Sequence, residues 1–510
     1  MDRRLRAFHR WMRSQGIECS DALQLADGAD GIAVRARCDL KEGDVVATIP
    51  VSACLTIKTT ACCEMIEDAG LAGSLGLSLA LMYERSLGEA SLWSGYLQLL
   101  PDEESVPLLW TLEEVDSLLM GTELHKTVKE DKALLYEDWK ECIQPLIANG
   151  PVKLDPESFG AAQYFAAKSL VGSRSFEIDG YHGFGMVPLA DLFNHKTGAE
   201  NVHFFSASPS SNSDSDNDSN HEEEDIDECK STKDFDLDSS NGDSSHLNST
   251  NSLMDSAVQN FVDTDDVHDS INSGDEPAVL EMGIVKAVKE GDEVFNTYGS
   301  MGNAALLHRY GFTEFDNSFD IVNIDLSLVM QWISKSFSSR YCRARLSLWR
   351  RLDCSGCTSQ NSEYFEISGD GEPQLELLIL LHIVFLPEEA YSKLNYAASS
   401  TGDVGKSMNV LLLNKNGGSF QGTREMSREF LLTASIRSAL VSLADARENL
   451  YGSNSMEDDM DALRICCRLK ERKQYHSLVL RISERMILKK LRLYAATSFR
   501  KKRKRNSSRR

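Results

Sequence analysis

The strongest constraint on the fold is a stretch of 72 residues, positions 206–277, that is rich in Ser, Asp, Asn and Glu and poor in aromatic residues. Between positions 211 and 276 it holds 20 acidic residues and two lysines, so most of the chain's net charge of −24 lies here. Such a composition cannot bury enough apolar surface to fold alone. We therefore predict a disordered acidic insertion at about 206–277. It is either a tolerated spacer or a regulatory arm that docks a basic partner.

Strand-like sequences flank this insertion on both sides, at 201–205 and 278–287. They can still pair as a hairpin, because the entropy lost on closing a loop grows only slowly with loop length. The insertion therefore does not mark a domain boundary. We predict one β-rich domain at 27–318 that continues across it.

The remaining patterns mix strands with helices, which predicts the α+β class. Strand signals at 32–36 and 45–50 surround a Gly-containing turn, and we expect these two strands to pair as a hairpin. Helical patterns fill about 60–150, which we predict to be a helical insert inside the β-rich domain. Asp155 is predicted to cap a helix that runs to about 170.

Both ends of the chain differ in character from the β-rich domain. A short amphipathic helix is predicted within 1–26, and an all-α domain at 319–496. Residues 497–510 form a basic tail, in which eight of the last eleven residues are Lys or Arg. This tail favours a nuclear-import signal over a merely solvated end. We therefore expect a nuclear location, with the cytoplasm as a second one.

Twelve cysteines are scattered without the spacing of a disulfide framework, and no signal peptide is evident, so we expect reduced thiols in an intracellular compartment. Cys354 and Cys357 form a lone C-x-x-C pair. A structural zinc site needs four ligands, so we expect no metal. The longest apolar run, 375–386, contains Glu376 and His382 and is too short to span a bilayer, so no membrane segment is expected.

Several polar and aromatic residues occur where strands meet loops or helices. Side chains at the ends of elements can converge on a pocket that a rigid scaffold holds in place. Taken singly, each has a plainer explanation, because aromatic residues usually pack in a core and an Asn-His pair usually makes a turn. In chain order these residues are Asp30, Gly31, Ile32, Arg174, Asp191, Asn194, His195, Tyr298, Tyr310 and Phe312.

In this order the residues resemble the SET-domain methyltransferases. More narrowly, they resemble the Rubisco large-subunit methyltransferase class, and within it the nuclear and ribosomal-protein lysine methyltransferases. The sequences ADLFNH at 190–195, EVFNTYG at 293–299 and RYGF at 309–312 carry the resemblance, which covers about 3–496. The class has a β-rich SET fold with a helical insert and a C-terminal helical substrate-binding domain. One departure is Ala29, where relatives often have the first glycine of a G-x-G motif.

The resemblance implies a site for S-adenosylmethionine and a role for each matching residue. Tyr298 would be the catalytic residue at the methyl-transfer centre. Arg174 would pair with the carboxylate of the cofactor, a contact that suits its forked guanidinium. The residues implied to bind the cofactor are Asp30, Gly31, Ile32, Arg174, Asn194, His195, Tyr310 and Phe312. Those implied to contact the substrate are Arg174, Asp191, Tyr298 and Tyr310.

The implied activity is methyl transfer to a lysine of a protein substrate. Such a displacement needs alignment of nitrogen, methyl and sulfur, but no metal and no covalent intermediate. A narrow aromatic channel removes water from the lysine amine and lowers its pKa. Whether Tyr298 accepts the proton or only orients the amine is left open. We expect a monomer with a protein substrate, no membrane partner and no direct need for nucleic acid.

Two other functions stay open from the sequence. A neighbouring branch of the same class modifies histidine, so the acceptor is lysine or histidine. The second alternative is a non-catalytic SET-fold module that binds proteins.

Overall fold

The computed structural model describes residues 3–28, 31–150, 152–206, 278–352, 364–400, 428 and 430–496. The predicted acidic insertion beyond Ser206, the predicted basic tail, and Asp30 lie outside these ranges, as do Cys354 and Cys357. The expectations about the charged segments and about a metal at the C-x-x-C pair therefore stay predictions.

Helices make up most of the regular structure. They are α1 (Arg3–Ser14), α2 (Cys63–Asp68), α3 (Gly73–Ser86), α4 (Ser94–Leu97), α5 (Leu112–Leu118), α6 (Leu124–Asp138), α7 (Gln144–Asn149), α8 (Ala161–Arg174), α9 (Asn303–Tyr310), α10 (Leu326–Ser334), α11 (Ser339–Arg351), α12 (Leu375–Phe385), α13 (Glu388–Ser400), α14 (Ala434–Glu448), α15 (Met456–Ile465) and α16 (Arg472–Ala496). In the described part of the chain, none of them is long and apolar enough to cross a membrane.

The strands are short and form several small sheets. They are β1 (Glu18–Cys19), β2 (Leu23–Gly28), β3 (Gly31–Ala36), β4 (Val45–Pro50), β5 (Leu55–Thr56), β6 (Ser175–Asp179), β7 (Gly183–Met186), β8 (Val202–Ser206), β9 (Val279–Ile284), β10 (Val322–Asp325) and β11 (Tyr364–Ile367). The four-stranded sheet has the order β1-β4-β9-β8, and a three-stranded sheet has the order β5-β7-β6.

The two strands that flank the acidic segment pair with each other, as the sequence predicts. β8 and β9 are antiparallel, with Val202 opposite Ile284 and Ser206 opposite Leu280. The chain therefore leaves the sheet after Ser206 and returns to the neighbouring strand at Val279. Elements from both sides of the acidic segment are thus held in one sheet.

The predicted hairpin between 32–36 and 45–50 is wrong. β3 pairs instead with β2, with Gly28 opposite Gly31. β4 pairs on one edge with β1 and on the other with β9. Other strands occupy both edges of β4, β1 at Ala47 and Thr48 and β9 along the opposite edge, and the pattern of strand signals could not reveal that competition.

The helices predicted for about 60–150 are present as α2 to α7, with a π-helical turn at Trp139–Ile143 between α6 and α7. The predicted start of the next helix is wrong. Asp155 does not cap it, because its carboxylate accepts hydrogen bonds from Ser158 N and Oγ at 3.1 and 2.8 Å and closes a local turn. Helix α8 begins only at Ala161 and ends at Arg174, which places that arginine at the edge of the candidate site.

The C-terminal part is helical, but it is not all-α. β10 and β11 pair as a two-stranded antiparallel sheet, with Val322 opposite Ile367. The last two helices, α15 and α16, are separated by a break after Ile465, where the Glu471 side chain accepts from Cys467 N at 2.8 Å. The boundary near 318 between a SET domain and a helical domain stays a proposal.

Two large clusters of buried apolar residues support these parts. The first joins α1, the four-stranded sheet and the helical insert, and includes Phe8, Ile49 and Leu280. The second lies among β10, β11 and helices α10 to α14 and α16. A smaller cluster packs Leu480 of α16 against Trp110, Val115 and other residues of the helical insert and α9. The C-terminal helix thereby supports the helices around the candidate site.

Candidate active site

The run at 293–298 forms no continuous strand, although its residues alternate in the manner of one. It makes only isolated bridges, with Arg35 opposite Glu293 and His195 alongside Asn296. The backbone is also fixed by Val294 N, which donates to Val34 O at 2.8 Å. The segment therefore lies between β3 and the ADLFNH turn, where it can present Tyr298 to a shared pocket.

The ADLFNH sequence forms a buried, strained turn. Leu189 has a φ of 78°, a backbone conformation that is unfavourable for a residue with a branched side chain. The 3-10 turn Ala190–Leu192 follows directly, and all three of its residues are buried. The surrounding core must hold this turn in place, because the chain would not adopt the conformation at Leu189 unaided. The turn directs Asp191, Asn194 and His195 towards different partners.

Tyr298 stands at the centre of the site. Its hydroxyl group donates to the carbonyl oxygen of Phe193 at 3.3 Å, and its backbone N–H donates to His195 Nδ1 at 3.0 Å. Its ring stacks on His195 and on Tyr310, with centroid distances of 5.1 and 4.3 Å. Burial is the main cause that raises the pKa of Tyr298 above its usual value, with the Tyr310 hydroxyl as a smaller contribution. The phenol is therefore protonated at neutral pH and acts as a hydrogen-bond donor.

The end of α9 supplies the other aromatic rings. The Phe312 ring lies 6.3 Å from Tyr310 and 6.3 Å from His195, measured between centroids. Gly311 ends the helix with a φ of 76°, and a Cβ at this position would lie 2.5 Å from the Ser105 carbonyl oxygen. Only glycine satisfies both conditions. This glycine reverses the chain after α9, so that Tyr310 stacks on Tyr298 while Phe312 lies against His195.

Asn194 connects the glycine-containing strand to the segment after the acidic insertion. Its side-chain nitrogen donates to Ile32 O at 3.2 Å and to Glu293 Oε1 at 2.8 Å. Gly31 precedes Ile32 with a φ of 126°, and no heavy atom lies within 4 Å of the place where a Cβ would be. The backbone of β3 is therefore open to close approach beside Asn194.

Arg174 and Asp191 form a largely buried charged group together with two residues of the helical insert. Arg174 Nε donates to Glu104 Oε1 at 2.7 Å, and its Nη1 lies 3.4 Å from Asp191 Oδ2. The Tyr96 hydroxyl donates to the same Asp191 oxygen at 2.8 Å. Asp191 Oδ1 is buried and has no hydrogen-bond partner among the described residues.

The electrostatics of this group follow from its burial. Burial opposes a charge on Arg174, but Glu104 and Asp191 outweigh that effect and raise its pKa. Burial raises the pKa of Asp191, while Arg174 and the Tyr96 hydroxyl oppose the rise. Burial also lowers the pKa of His195, which agrees with a neutral ring that accepts the Tyr298 N–H. Arg174 thus remains the fixed positive charge of the site.

The structure brings the predicted residues Arg174, Asp191, Asn194, His195, Tyr298, Tyr310 and Phe312 to one region, next to Gly31 and Ile32. Their individual roles stay predictions, and Asp30 lies outside the described residues. Sequence reasoning missed Tyr96 and Glu104 as site residues. Tyr96 belongs to an apolar patch of α4 that predicts core packing, and Glu104 lies in an acidic loop without a recognisable motif.

Chemically, the arrangement combines a phenol donor, a backbone carbonyl and stacked rings with one fixed cation and a partly unsatisfied carboxylate. Parts of the chain are similar to curated lysine methyltransferases. The N-lysine methyltransferase setd6 of Danio rerio is 26% identical over 341 residues, which cover 62% of this chain and 58% of that protein. Ribosomal lysine N-methyltransferase 3 of Saccharomyces cerevisiae is 25% identical over 327 residues, 58% of this chain and 59% of that protein. The chain thus spans under two thirds of the length of these relatives. No family model matches it.

Solved structures match almost the whole chain. The SET domain of LSMT bound to lysine and AdoHcy superposes with a TM-score of 0.62 at 18% identity, over 97% of this chain and 91% of that one. The structure of Rubisco LSMT bound to AdoMet gives 0.60 at 17% identity, over 97% and 92%. This chain has the SET fold of the Rubisco large-subunit methyltransferase class. The SET fold also confirms the α+β class and the resemblance that the sequence motifs indicate.

Proposed function

We propose that this SET-fold protein transfers a methyl group from S-adenosylmethionine to a lysine side chain of a protein substrate. The observation that carries the proposal is the position of the Tyr298 hydroxyl, which lies among stacked rings and 3.3 Å from the Phe193 carbonyl oxygen. A phenol and a carbonyl in this geometry can orient an amine along a defined direction. The two relatives described above are named as lysine methyltransferases, which supports the same activity.

The described residues fit the cofactor that this activity needs. The backbone at Gly31 is open to close approach, and Asp191 Oδ1 is a buried acceptor without a partner among the described residues. S-adenosylmethionine supplies a methyl group on a positively charged sulfur. The nitrogen of Asn194 is occupied by Ile32 O and Glu293, so its side-chain oxygen would accept from the methionyl amine.

The other proposed contacts surround these residues. Arg174 would hold the carboxylate of the cofactor with the N–H groups that Glu104 and Asp191 do not use. The backbone of Ile32 and His195 would contact the cofactor, and the rings of Tyr310 and Phe312 would form the wall for adenine and the substrate channel. Asp30 would continue the contact from β3.

The protein's contribution to the reaction is alignment and desolvation. The rings of His195, Tyr298 and Tyr310 exclude water from the channel, which favours the neutral, nucleophilic form of the incoming lysine. The Tyr298 hydroxyl and the Phe193 carbonyl fix the direction of its nitrogen. The Tyr298 hydrogen is donated to Phe193 O, so the phenol oxygen would position the amine by accepting one of its N–H groups. With a raised pKa, Tyr298 is a neutral phenol rather than an anion that removes the amine proton.

The proposal is tested with methyl-labelled S-adenosylmethionine, the full chain and a cell extract. Labelled protein is hydrolysed, and the modified amino acid is identified by mass spectrometry. Methyllysine that disappears with Tyr298→Phe supports the proposal. Methylhistidine assigns the chain to the histidine branch of the class. Cofactor binding without any labelled product identifies a protein-binding module.

We also propose that the enzyme is a monomer that acts on a protein in the nucleus. The basic residues of 497–510 support this location. A reporter protein fused to residues 495–510 is expected to enter the nucleus, and a version with the basic residues replaced by Gln is not. Equal distribution of both reporters between nucleus and cytoplasm would remove the basis for the location.

A further inference from the structure

Helix α1 carries an arginine stripe, which we define as Arg3, Arg6, Arg10 and Arg13. Their spacing of three and four residues places all four on one side of the helix. All four are exposed, whereas Leu5, Phe8 and Met12 on the other side are buried in the first core cluster. Within the described ranges, no carboxylate lies close enough to form an ion pair with any of the four. The stripe is thus a band of uncompensated positive charge in a chain whose net charge is −24.

We propose that the arginine stripe of α1 is the docking surface for the acidic segment of the same chain, residues 207–277. The acidic segment is complementary in charge to the arginine stripe. Positions 211–276 hold 20 acidic residues against two lysines, the largest concentration of negative charge in the sequence. The proposal concerns how the chain uses its own charged segments, and it does not depend on methyl transfer.

Helix α1 also ends close to the point where the acidic segment rejoins the fold. The acidic segment returns to the fold at Ala278, whose carbonyl oxygen accepts from Val51 N at 3.0 Å, next to Pro50 at the end of β4. The chain after α1 reaches the same end of the sheet, because a Cβ on Gly16 would lie 3.6 Å from Pro50 Cγ. β1 is separated from β9 only by β4. With neighbouring strands about 4.8 Å apart, α1 ends on the order of 10 Å from the point where the acidic segment returns.

The acidic segment is long compared with the arginine stripe. α1 has 12 residues and is therefore about 18 Å long. Half of residues 207–277, roughly 35 residues, can extend over on the order of 100 Å. The segment is therefore long enough to reach every arginine of the stripe from its attachment points, and its effective concentration there is on the order of millimolar. An external polyanion such as nucleic acid would meet a helix that is already neutralised by its own chain.

Helix α11 provides a matched comparison. Arg340, Arg343 and Arg350 lie on one exposed side of it, as the arginine stripe does on α1. α11 belongs to the second core cluster, with β10, β11 and the C-terminal helices, and not to the sheet that the acidic segment leaves. Charge alone would favour both helices, whereas position favours α1.

The test uses the full chain with R10K and R13K, and a second full chain with R340K and R343K. Both pairs keep the positive charge and supply amines that a zero-length carbodiimide reagent joins to nearby carboxylates. Cross-linked peptides are mapped by mass spectrometry in an equal mixture of ¹⁴N and ¹⁵N protein, which separates links within one chain from links between two copies.

We expect links within one chain from positions 10 and 13 to 207–277, several-fold more abundant than from positions 340 and 343. In 1 M salt, where the screening length falls to about 3 Å, these links should largely disappear. Equal yields from the two helices, no links from α1 to 207–277, or links only between copies would overturn the proposal.

Discussion

The Tyr298 hydroxyl lies 3.3 Å from the carbonyl oxygen of Phe193, although the two residues are 105 positions apart in the sequence. The contact depends on the pairing of β8 with β9, which brings the chain back after the acidic segment. Phe193 follows the strained turn at Leu189, and Tyr298 is held by His195 through its backbone. The centre of the site is therefore assembled from two separate parts of the chain, each fixed by its own backbone contacts.

Tyr298→Phe tests this contact directly. The variant keeps the ring that stacks on His195 and Tyr310 but removes the hydroxyl group. We expect the rate of methyl transfer to fall by a factor on the order of 10² or more, because the hydroxyl oxygen that would accept from the amine and orient it is lost. Affinity for the cofactor, measured by calorimetry, should change little. Tyr136→Phe on the exposed face of α6 is the matched control, and an equal effect in both variants would exclude a specific role for Tyr298.

Tyr96→Phe tests the support that the helical insert gives to the site. The change removes the 2.8 Å hydrogen bond to a carboxylate that is buried beside Arg174. Asp191 Oδ2 would keep only its longer contact with Arg174 Nη1, at 3.4 Å. Loss of the shorter bond to a buried carboxylate should lower the free energy of unfolding in urea by about 1–3 kcal/mol. The control is Tyr164→Phe, since the buried hydroxyl of Tyr164 has no partner among the described residues. A larger loss in the control would contradict the assignment.

Gly311→Ala tests the packing that aims Tyr310 and Phe312 at one pocket. A left-handed residue other than glycine costs about 1–2 kcal/mol, and the new Cβ would also meet the Ser105 backbone. Gly291→Ala has a similar backbone conformation, with a φ of 85°, but open space around the new atom. We expect Gly311→Ala to lower the unfolding free energy by a further 1–3 kcal/mol or so, because of the overpacking. Equal losses in the two variants would mean that the contact with Ser105 relaxes freely.

His476→Asn tests a pH dependence of stability. His476 is buried in α16, and its Nδ1 accepts from Thr313 N at 3.1 Å. Burial, together with Arg472 and Arg468, lowers the pKa of His476 to about 3. The unfolded chain binds this proton below about pH 6.5, whereas the folded chain does so only near pH 3. Because of His476 alone, the free energy of unfolding should therefore fall by about 1.4 kcal/mol for each unit by which the pH is lowered between these two values.

In the variant, the Asn side-chain oxygen can replace Nδ1 as the acceptor, but it does not titrate. Urea unfolding curves at several pH values from 7 to 4.5 should therefore show a shallower slope for the variant than for the natural chain. Identical slopes would show that His476 does not resist protonation in the folded state.

The residues of the candidate site were accessible from the sequence to different degrees. ADLFNH, EVFNTYG and RYGF are contiguous motifs, and they identified Asn194, His195, Tyr298 and Phe312 without knowledge of the fold. Tyr96 and Glu104 were not recognisable, because their roles arise from contacts with Arg174 and Asp191, 70 and 95 residues further along. A buried tyrosine in an apolar patch has the same local pattern whether or not its hydroxyl binds a distant carboxylate.

The sequence by itself determined the α+β class and most helix positions, because these depend on local periodicity and turn chemistry. It also predicted that the strands on either side of the acidic segment pair, because closing a long loop costs little extra entropy. The tertiary structure alone decided that β3 pairs with β2 and that β4 lies between β1 and β9. It also decided that the run at 293–298 makes bridges instead of a continuous strand. The physical reason is competition for backbone hydrogen-bonding groups: every strand edge has several candidate partners, and only the complete fold determines which of them it meets.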